Sequence, residues 1–257
     1  MEKSNRQRHK PLFACFLILS ILFAYTLHLR SPYFGKMADG IFEDQTARTL
    51  KFAKNWYRDG ILNDRFLQIE NPDSIEFSSL EQRKPYVSFL PGTVVPVYIL
   101  SKITQSEPTI EIVHGYNLAS QYMCALLLAG IAWVLGAFTS NWHRIIAALL
   151  AGSFYILNPF LIYNHQQIFY SDAALMLPLL SFIFIQSLKL CYNVKGFKIN
   201  FALAVSMFCL VFTDWYGLFI AFMWGLFRLS DEKLSIRNRI MELRVLAIPI
   251  FLCLIFF

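Results

Sequence analysis

The sequence predicts an all-α, polytopic membrane protein: a bundle of transmembrane helices whose long first outer loop carries amphipathic juxtamembrane helices. Three observations predict it. The chain of 257 residues is 56% hydrophobic and only 16% charged, and its apolar residues come in long runs rather than at scattered core positions. The basic residues behind the formal charge of +6 cluster at the ends of those runs, where they act as topology signals, so no nucleic-acid reading is supported. The stretch behind the first run, Asp39 to Asp59, has the apolar spacing of an amphipathic helix.

The elements follow in order. Lys3, Arg6, Arg8 and Lys10 precede an uncharged run from Pro11 to Leu29, about the length needed to cross a bilayer core. The run is long for a signal peptide and no small-x-small cleavage site follows it, so it reads as a span leading outward from a cytoplasmic N-terminus. Residues 30–115 form the first outer loop. In Asp39 to Asp59 (DGIFEDQTARTLKFAKNWYRD), Leu50, Ala53 and Tyr57, with Ala47 a turn before them, recur at helical spacing. Arg48, Lys51, Asn55 and Arg58 fall largely between them, which predicts a helix of about four turns. Gly60 is a stop signal, and Glu43 and Asp44 fall in the first turn, where acids suit the positive end of the helix dipole. The pair is therefore either a plain helix start or half of a site. Asn63 to Gln82 is polar and reads as irregular, and Pro85 to Ile103 is apolar but interrupted by Pro91, Gly92 and Pro96.

Loop charges decide how that interrupted segment lies. If it crossed the membrane, the loop Asn164 to Ser171, which has no Lys or Arg, would be cytoplasmic, and Lys195 and Lys198 would be outside. Laid along the outer surface instead, it sends Tyr116 to Phe138 inward, Ile145 to Tyr163 outward and Asp172 to Leu190 inward again. His143, Arg144, Lys189, Lys195 and Lys198 then face the cytoplasm. Asn200 to Phe212 and Trp215 to Phe227 make a hairpin with Asp214 at its outer tip and Arg228, Lys233, Arg237, Arg239 and Arg244 inside. Both arms are shorter than the roughly 20 residues of a full crossing. The last apolar run begins only at Val245, so residues 1–257 read as a single transmembrane module truncated from a longer protein. The five cysteines, Cys15, Cys124, Cys191, Cys209 and Cys253, lie in apolar segments without paired spacing and read as buried apolar residues.

This topology gathers acids at the outer face: Glu43 and Asp44 on the first loop, Asp172 heading the fourth span, and Asp214 at the hairpin tip. Ser171 and Asp172 also make an ordinary helix start, and Asp214 reads as an interface-anchoring turn. Arg83 and Lys84 lie at headgroup depth, either anchoring the segment or pairing with a phosphate. The acid pair that opens an amphipathic helix, the RKPYVSFLPG run from Arg83 to Gly92, and the Asp172 of NPFLIYNHQQIFYSDAALMLPLL together resemble the GT-C glycosyltransferase superfamily. The branch with protein O-mannosyltransferases and lipid A aminoarabinose transferases is the most similar.

The resemblance implies transfer of a sugar from a polyprenyl-phosphate carrier to an acceptor hydroxyl at the outer face. It implies a first-loop acid as catalytic base, at Asp44 or Glu43; the family orders its pair Asp then Glu, and here the order is reversed. It implies carrier-phosphate contact through Lys84-Pro85, where Tyr86 departs from the family's second proline, with Arg83 beside it. Asp172 matches the family's second-loop acid, and His165, Gln166 and Tyr170 on the second outer loop are candidates to line the sugar site, against a plain exposed-loop reading of His165. No metal is demanded, although some relatives hold a divalent cation on outer-loop acids, a part open to Asp44 with Asp172. The implied setting is a bacterial plasma membrane, or an endoplasmic reticulum membrane in a eukaryote. Two competing readings remain: a carrier or flippase of a polar lipid or solute, and a non-catalytic subunit of GT-C type.

Overall fold

Three helices are long and apolar enough to cross a membrane, Pro11–Tyr33, Ile110–Leu135 and Leu175–Tyr192. The most apolar windows of the latter two are only 33% buried within the protein, which leaves their remaining surface to lipid. The computed structural model describes residues 2–37, 41–70, 85–86, 90–164, 174–230 and 235–255, with side chains described for 11–37, 45–70, 85–86, 90–137, 139–162, 174–230, 235–237 and 239–253. Within them the chain is predominantly helical.

The helices are α1 (Glu2–Arg30), α2 (Ile41–Asp59), α3 (Val94–Thr104), α4 (Ile110–Leu135), α5 (Asn141–Ile156), α6 (Pro159–Asn164), α7 (Leu175–Tyr192), α8 (Phe197–Thr213), α9 (Tyr216–Ser230) and α10 (Ile236–Ile255). A two-residue ribbon pairs β1 (Gln68–Ile69) antiparallel with β2 (Pro85–Tyr86), Gln68 opposite Tyr86.

The bundle is two groups of helices joined where α4 meets α7. In the first group α5 packs between α1 and α4. Small residues allow it: a Cβ on Gly152 of α5 would stand 2.8 Å from Leu19 Cδ1 and 3.3 Å from the Ala125 carbonyl, and Ala125, Ala129 and Ala148 complete the seam with Leu19 and Ile156. Lipid supplies no hydrophobic drive between helices, so close backbone approach of this kind is what holds them. Cys124, Ile131 and Leu180 join the groups. In the second, α8 packs between α7 and α10 through Phe182, Leu203, Met207, Leu210 and Leu246, with α9 folded back on α8.

α2, the ribbon and α3 lie across one end of this bundle. The 3-10 turn Pro91–Thr93 leads into α3 and docks on the α8–α9 tip, where a Cβ on Gly92 would sit 2.6 Å from the Phe212 carbonyl. Phe66 also meets the Phe212 ring edge-on at 6.5 Å. α3, with 11 residues, rises only about 16 Å, half of a bilayer core. By itself it is too short to cross a bilayer core.

Several boundaries differ from the sequence reading. α2 has 19 residues, about five turns rather than four. The expected third span, Ile145 to Tyr163, is divided: α5 starts at Asn141, capped by Ser140 Oγ, and ends at Ile156. Pro159 has no N–H to continue the ladder, and Asn158 Oδ1 accepts instead from the Phe160 amide at 3.0 Å, opening α6. α4 begins six residues before the expected Tyr116, and α7 is described from Leu175, with its expected start at Asp172 outside the described residues. α10 starts at Ile236, ahead of the apolar run, and its polar first turns meet neighbouring helices, Arg239 Nη1 donating to the Leu229 carbonyl and Glu242 pairing with Lys189. The hairpin is as expected, with Asp214 between α8 and α9.

Candidate functional site

Helix α2 is seated by an aromatic and apolar patch. Phe52, Ala53 and Trp56 pack on Val94 and Val97 of α3 and Val113 of α4. Trp56 is fully buried, meets Tyr98 edge-on at 6.1 Å, and donates from Nε1 to the Leu67 carbonyl at 2.8 Å. Asn55 Nδ2 donates to the Ile69 carbonyl at 3.1 Å. These two bonds hold β1 against the helix, and β1 holds β2. The buried face is therefore Thr46, Thr49, Phe52, Ala53 and Trp56, rotated from the expected Ala47, Leu50, Ala53 and Tyr57; Ala47 is exposed and Asn55 is buried. Trp56 and Phe52 carry the larger apolar area, and that area selects the face.

Between α2 and the ribbon lies a cleft of about 320 Å³ lined by Ala47, Arg48, Lys51, Phe52 and Glu70. Arg48 Nη1 pairs with Glu70 Oε1 at 3.1 Å, and its guanidinium lies 5.3 Å from the centre of the Tyr86 ring. Tyr86 stacks on Phe52 at 5.5 Å, and Lys51 Nζ donates to the Glu70 carbonyl. Ala47 and Arg48 follow Glu43 and Asp44 by one helical turn, so the cleft begins where the acid pair ends.

Beneath this end is a buried polar layer. Arg30, the last residue of α1, is 2% exposed and donates from Nη1 to Gln121 Oε1. His114, Asn117 and Gln121 share one face of α4, all buried. His114 Nδ1 accepts from the Gly35 amide at 3.0 Å, tying the exit of α1 to the start of α4. Asn117 is 0% exposed, and among the described residues neither its Oδ1 nor its Nδ2 has a hydrogen-bond partner. The same holds for Arg30 Nε and Nη2, Gln121 Nε2, Gln45 Oε1 and Thr46 Oγ1. Unmet groups of this kind each cost about 1–3 kcal/mol. Such a layer at the end of a membrane bundle is a place where a polar ligand gains bonds that the fold leaves open.

The predicted site residues divide as follows. Glu43 and Asp44 lie in the first turn of α2, as expected, and their side chains fall outside the described residues. Arg83, Lys84, His165, Tyr170 and Asp172 lie outside the described residues altogether. Pro85 and Tyr86, which directly follow Lys84, are brought to α2 beside Arg48 and Phe52. Asp214 serves its turn: Oδ1 accepts from the Tyr216 amide at 2.7 Å at the start of α9. Among the described residues no group of three or more His, Cys, Asp and Glu is arranged to hold a metal, and Asp44 and Asp172 are not among the side chains described. The sequence reading missed Arg30, taken as a loop residue, and the α4 stripe, whose signal was three polar residues at helical spacing in an apolar run. It also placed Arg48 and Lys51 between the apolar positions and gave them no part in a site. Compared with known proteins, the chain matches no protein-family model, no curated protein and no solved structure.

Proposed function

We propose that this protein is a membrane glycosyltransferase of GT-C type, which moves a sugar from a polyprenyl-phosphate carrier to an acceptor hydroxyl on the side of the membrane bearing α2. One observation carries the reading: β2, directly behind Arg83 and Lys84 in the chain, is held against α2 beside Arg48, one turn from the acid pair Glu43 and Asp44. The turn of α2 that follows the acid pair and the ribbon residue that follows the cation pair thus lie side by side, which supports the reading. The buried layer of Arg30, Asn117 and Gln121 beneath them supports the reading, since a sugar phosphate is a ligand rich in acceptors and donors.

In this mechanism Asp44 or Glu43 takes the proton of the acceptor hydroxyl as its oxygen attacks the anomeric carbon from the face opposite the phosphate. The acceptor O–C bond forms, the bond from that carbon to the phosphate oxygen breaks, and polyprenyl phosphate leaves with inversion. Phosphate is a good leaving group, so a single base suffices where glycoside hydrolysis needs a second carboxyl as acid. Cations carry the departing charge: Arg83 and Lys84 from the segment before β2, with Arg48 and Lys51 on the cleft wall. Asp172 positions the acceptor or sugar, and His165 and Tyr170 line the sugar site. The charge distribution sets the orientation, with the N-terminus in the cytoplasm and α2 on the periplasmic side of a bacterial plasma membrane, or the lumenal side in a eukaryote.

The test is transfer from radiolabelled polyprenyl-phosphate sugars in membranes that express wild type, Asp44→Asn or Glu43→Gln at equal levels. Loss of about 10²-fold or more in one variant identifies the base. Full transfer in both variants refutes it. A second reading, a carrier of a polar lipid, is favoured by the burial of Arg30 with Asn117 and Gln121 inside the bundle. It gains if wild type transfers from no donor yet moves a labelled polyprenyl-phosphate sugar across reconstituted vesicles.

A further inference from the structure

The segment that leaves α1 runs back along one face of α4 and is tied to it at two points. Arg30 Nη1 donates to Gln121 Oε1, and the Gly35 amide donates to His114 Nδ1 at 3.0 Å. Asn117 falls on the same face, one turn from each of these α4 residues, so it lies in the layer between the two ties. Arg30 is 2% exposed, and Asn117 and Gln121 are 0% exposed. Among the described residues, Arg30 Nε and Nη2, Gln121 Nε2, and Asn117 Nδ2 and Oδ1 have no hydrogen-bond partner. Burying such groups unmet is costly, so the layer is shaped for something that meets them.

The chemistry of these atoms narrows what fits them. Nε and Nη2 make up one edge of the guanidinium, the edge that holds two oxygens of an oxyanion side by side. Nη1 is turned to Gln121, so the open edge is fixed in direction. Gln121 Nε2 and Asn117 Nδ2 are donors as well, and Asn117 Oδ1 is an acceptor. Unmet donors outnumber unmet acceptors, which selects a ligand with several acceptor oxygens and a hydroxyl. A carboxylate fills the arginine edge but brings no hydroxyl, and neither does a phosphate diester. A terminal phosphate in its singly protonated form brings both: its oxygens accept from Arg30, Gln121 and Asn117, and its P–O–H donates to Asn117 Oδ1. Burial favours that form over the dianion, because a second charge is expensive out of water.

We propose that this layer is a seat for a terminal phosphate, held by the open edge of Arg30 and completed by Gln121 and Asn117. The seat stands apart from sugar transfer and from Glu43 and Asp44, so binding tests it without an activity assay. Such a phosphate is borne by a lipid or is free in water, and the test separates the two. The purified full chain is placed in phosphatidylcholine nanodiscs that contain phosphatidic acid, a monoester, or phosphatidylglycerol, a diester, and a third sample receives inorganic phosphate. Native mass spectrometry reads the retained ligand, and the unfolding temperature reads stabilisation. Phosphatidic acid or inorganic phosphate should be retained about tenfold better than phosphatidylglycerol. Stabilisation by phosphatidic acid alone assigns the seat to a lipid; equal stabilisation by inorganic phosphate assigns it to the free group. Arg30→Lys keeps the charge but loses the paired edge, and Asn117→Leu changes no charge; each should weaken retention about tenfold. Asn117→Leu leaves the Arg30–Gln121 bond in place and decides the matter if Arg30→Lys fails to fold. General attraction of anions to the surface would survive both variants, so unchanged retention in them overturns the seat. Equal retention of the monoester and the diester overturns the choice of a terminal phosphate. Retention of no probe, the result if water or an acid of the first loop fills the edge, overturns the seat as a whole.

Discussion

Asn117 is where stability and the proposed chemistry pull apart. Its amide is fully buried on α4 with both polar atoms unmet among the described residues, next to an arginine whose described partner is a neutral amide. For folding alone, a leucine of similar size serves better. Asn117→Leu is therefore expected to raise stability by about 1–3 kcal/mol, read as unfolding temperature in detergent, while it lowers sugar transfer. A variant that is less stable than wild type would mean that Asn117 is already satisfied within the fold. Little of this was legible in the sequence: Tyr116 to Gln121 shows polar residues inside an apolar run, but that Arg30 of another helix turns onto them depends on how α1 and α4 pack. Arg228 and Lys189 teach the same lesson. As sequence they are topology signals at helix ends, and the fold makes them an ion cluster with Glu242, which belongs to a helix 53 residues beyond Lys189.

At the scale of elements, the end layer depends on Gly92. A methyl there would press on the backbone of Phe212 and Thr213, which cannot turn aside as a side chain can. Gly92→Ala should lift the Pro91–Thr93 turn from the α8–α9 tip without disturbing α4 and α5. Limited proteolysis would then cut within residues 41–104 far faster than in wild type, while the unfolding of the bundle stays the same; unchanged protection would mean that the layer is held by Trp56 and Phe52 alone. The existence of α2 was legible, including its stop at Gly60, which has φ of +90°. Its buried face was not, because periodicity fixes spacing and leaves open which stripe meets a partner. The ribbon was invisible, since two strands of two residues, with 15 residues between them, have no local period to read.

For the whole molecule, the consequence that matters is orientation. The proposed topology puts the end with α2 and α3 and the end with the α7–α8 turn on opposite faces of the membrane. In a variant whose five cysteines are replaced by alanine, Ser106→Cys should react with an impermeant maleimide on intact cells, or on sealed lumenal-side-out vesicles. Lys195→Cys should react only after permeabilisation. The reverse pattern would invert the topology and move the cleft away from any outward-facing carrier sugar. α8 and α9, with 17 and 15 residues, are short for a crossing, yet their tip reaches the α2 end because it is covered by the Pro91–Thr93 turn.

The helical class and the approximate ends of most helices follow from local properties of the chain: apolar runs suit a bilayer, amphipathic spacing suits an interface, and charge at the run ends predicts direction. Those are nearest-neighbour facts, so a sequence carries them in plain form. The tertiary structure alone decided which stripe of α2 is buried, that β2 lies beside Arg48, that Arg30 joins the α4 stripe, and that Lys189, Arg228 and Glu242 meet around one cavity. Each joins residues distant in the chain, and burial and ion pairing are energies of encounter, set by whatever the fold places opposite.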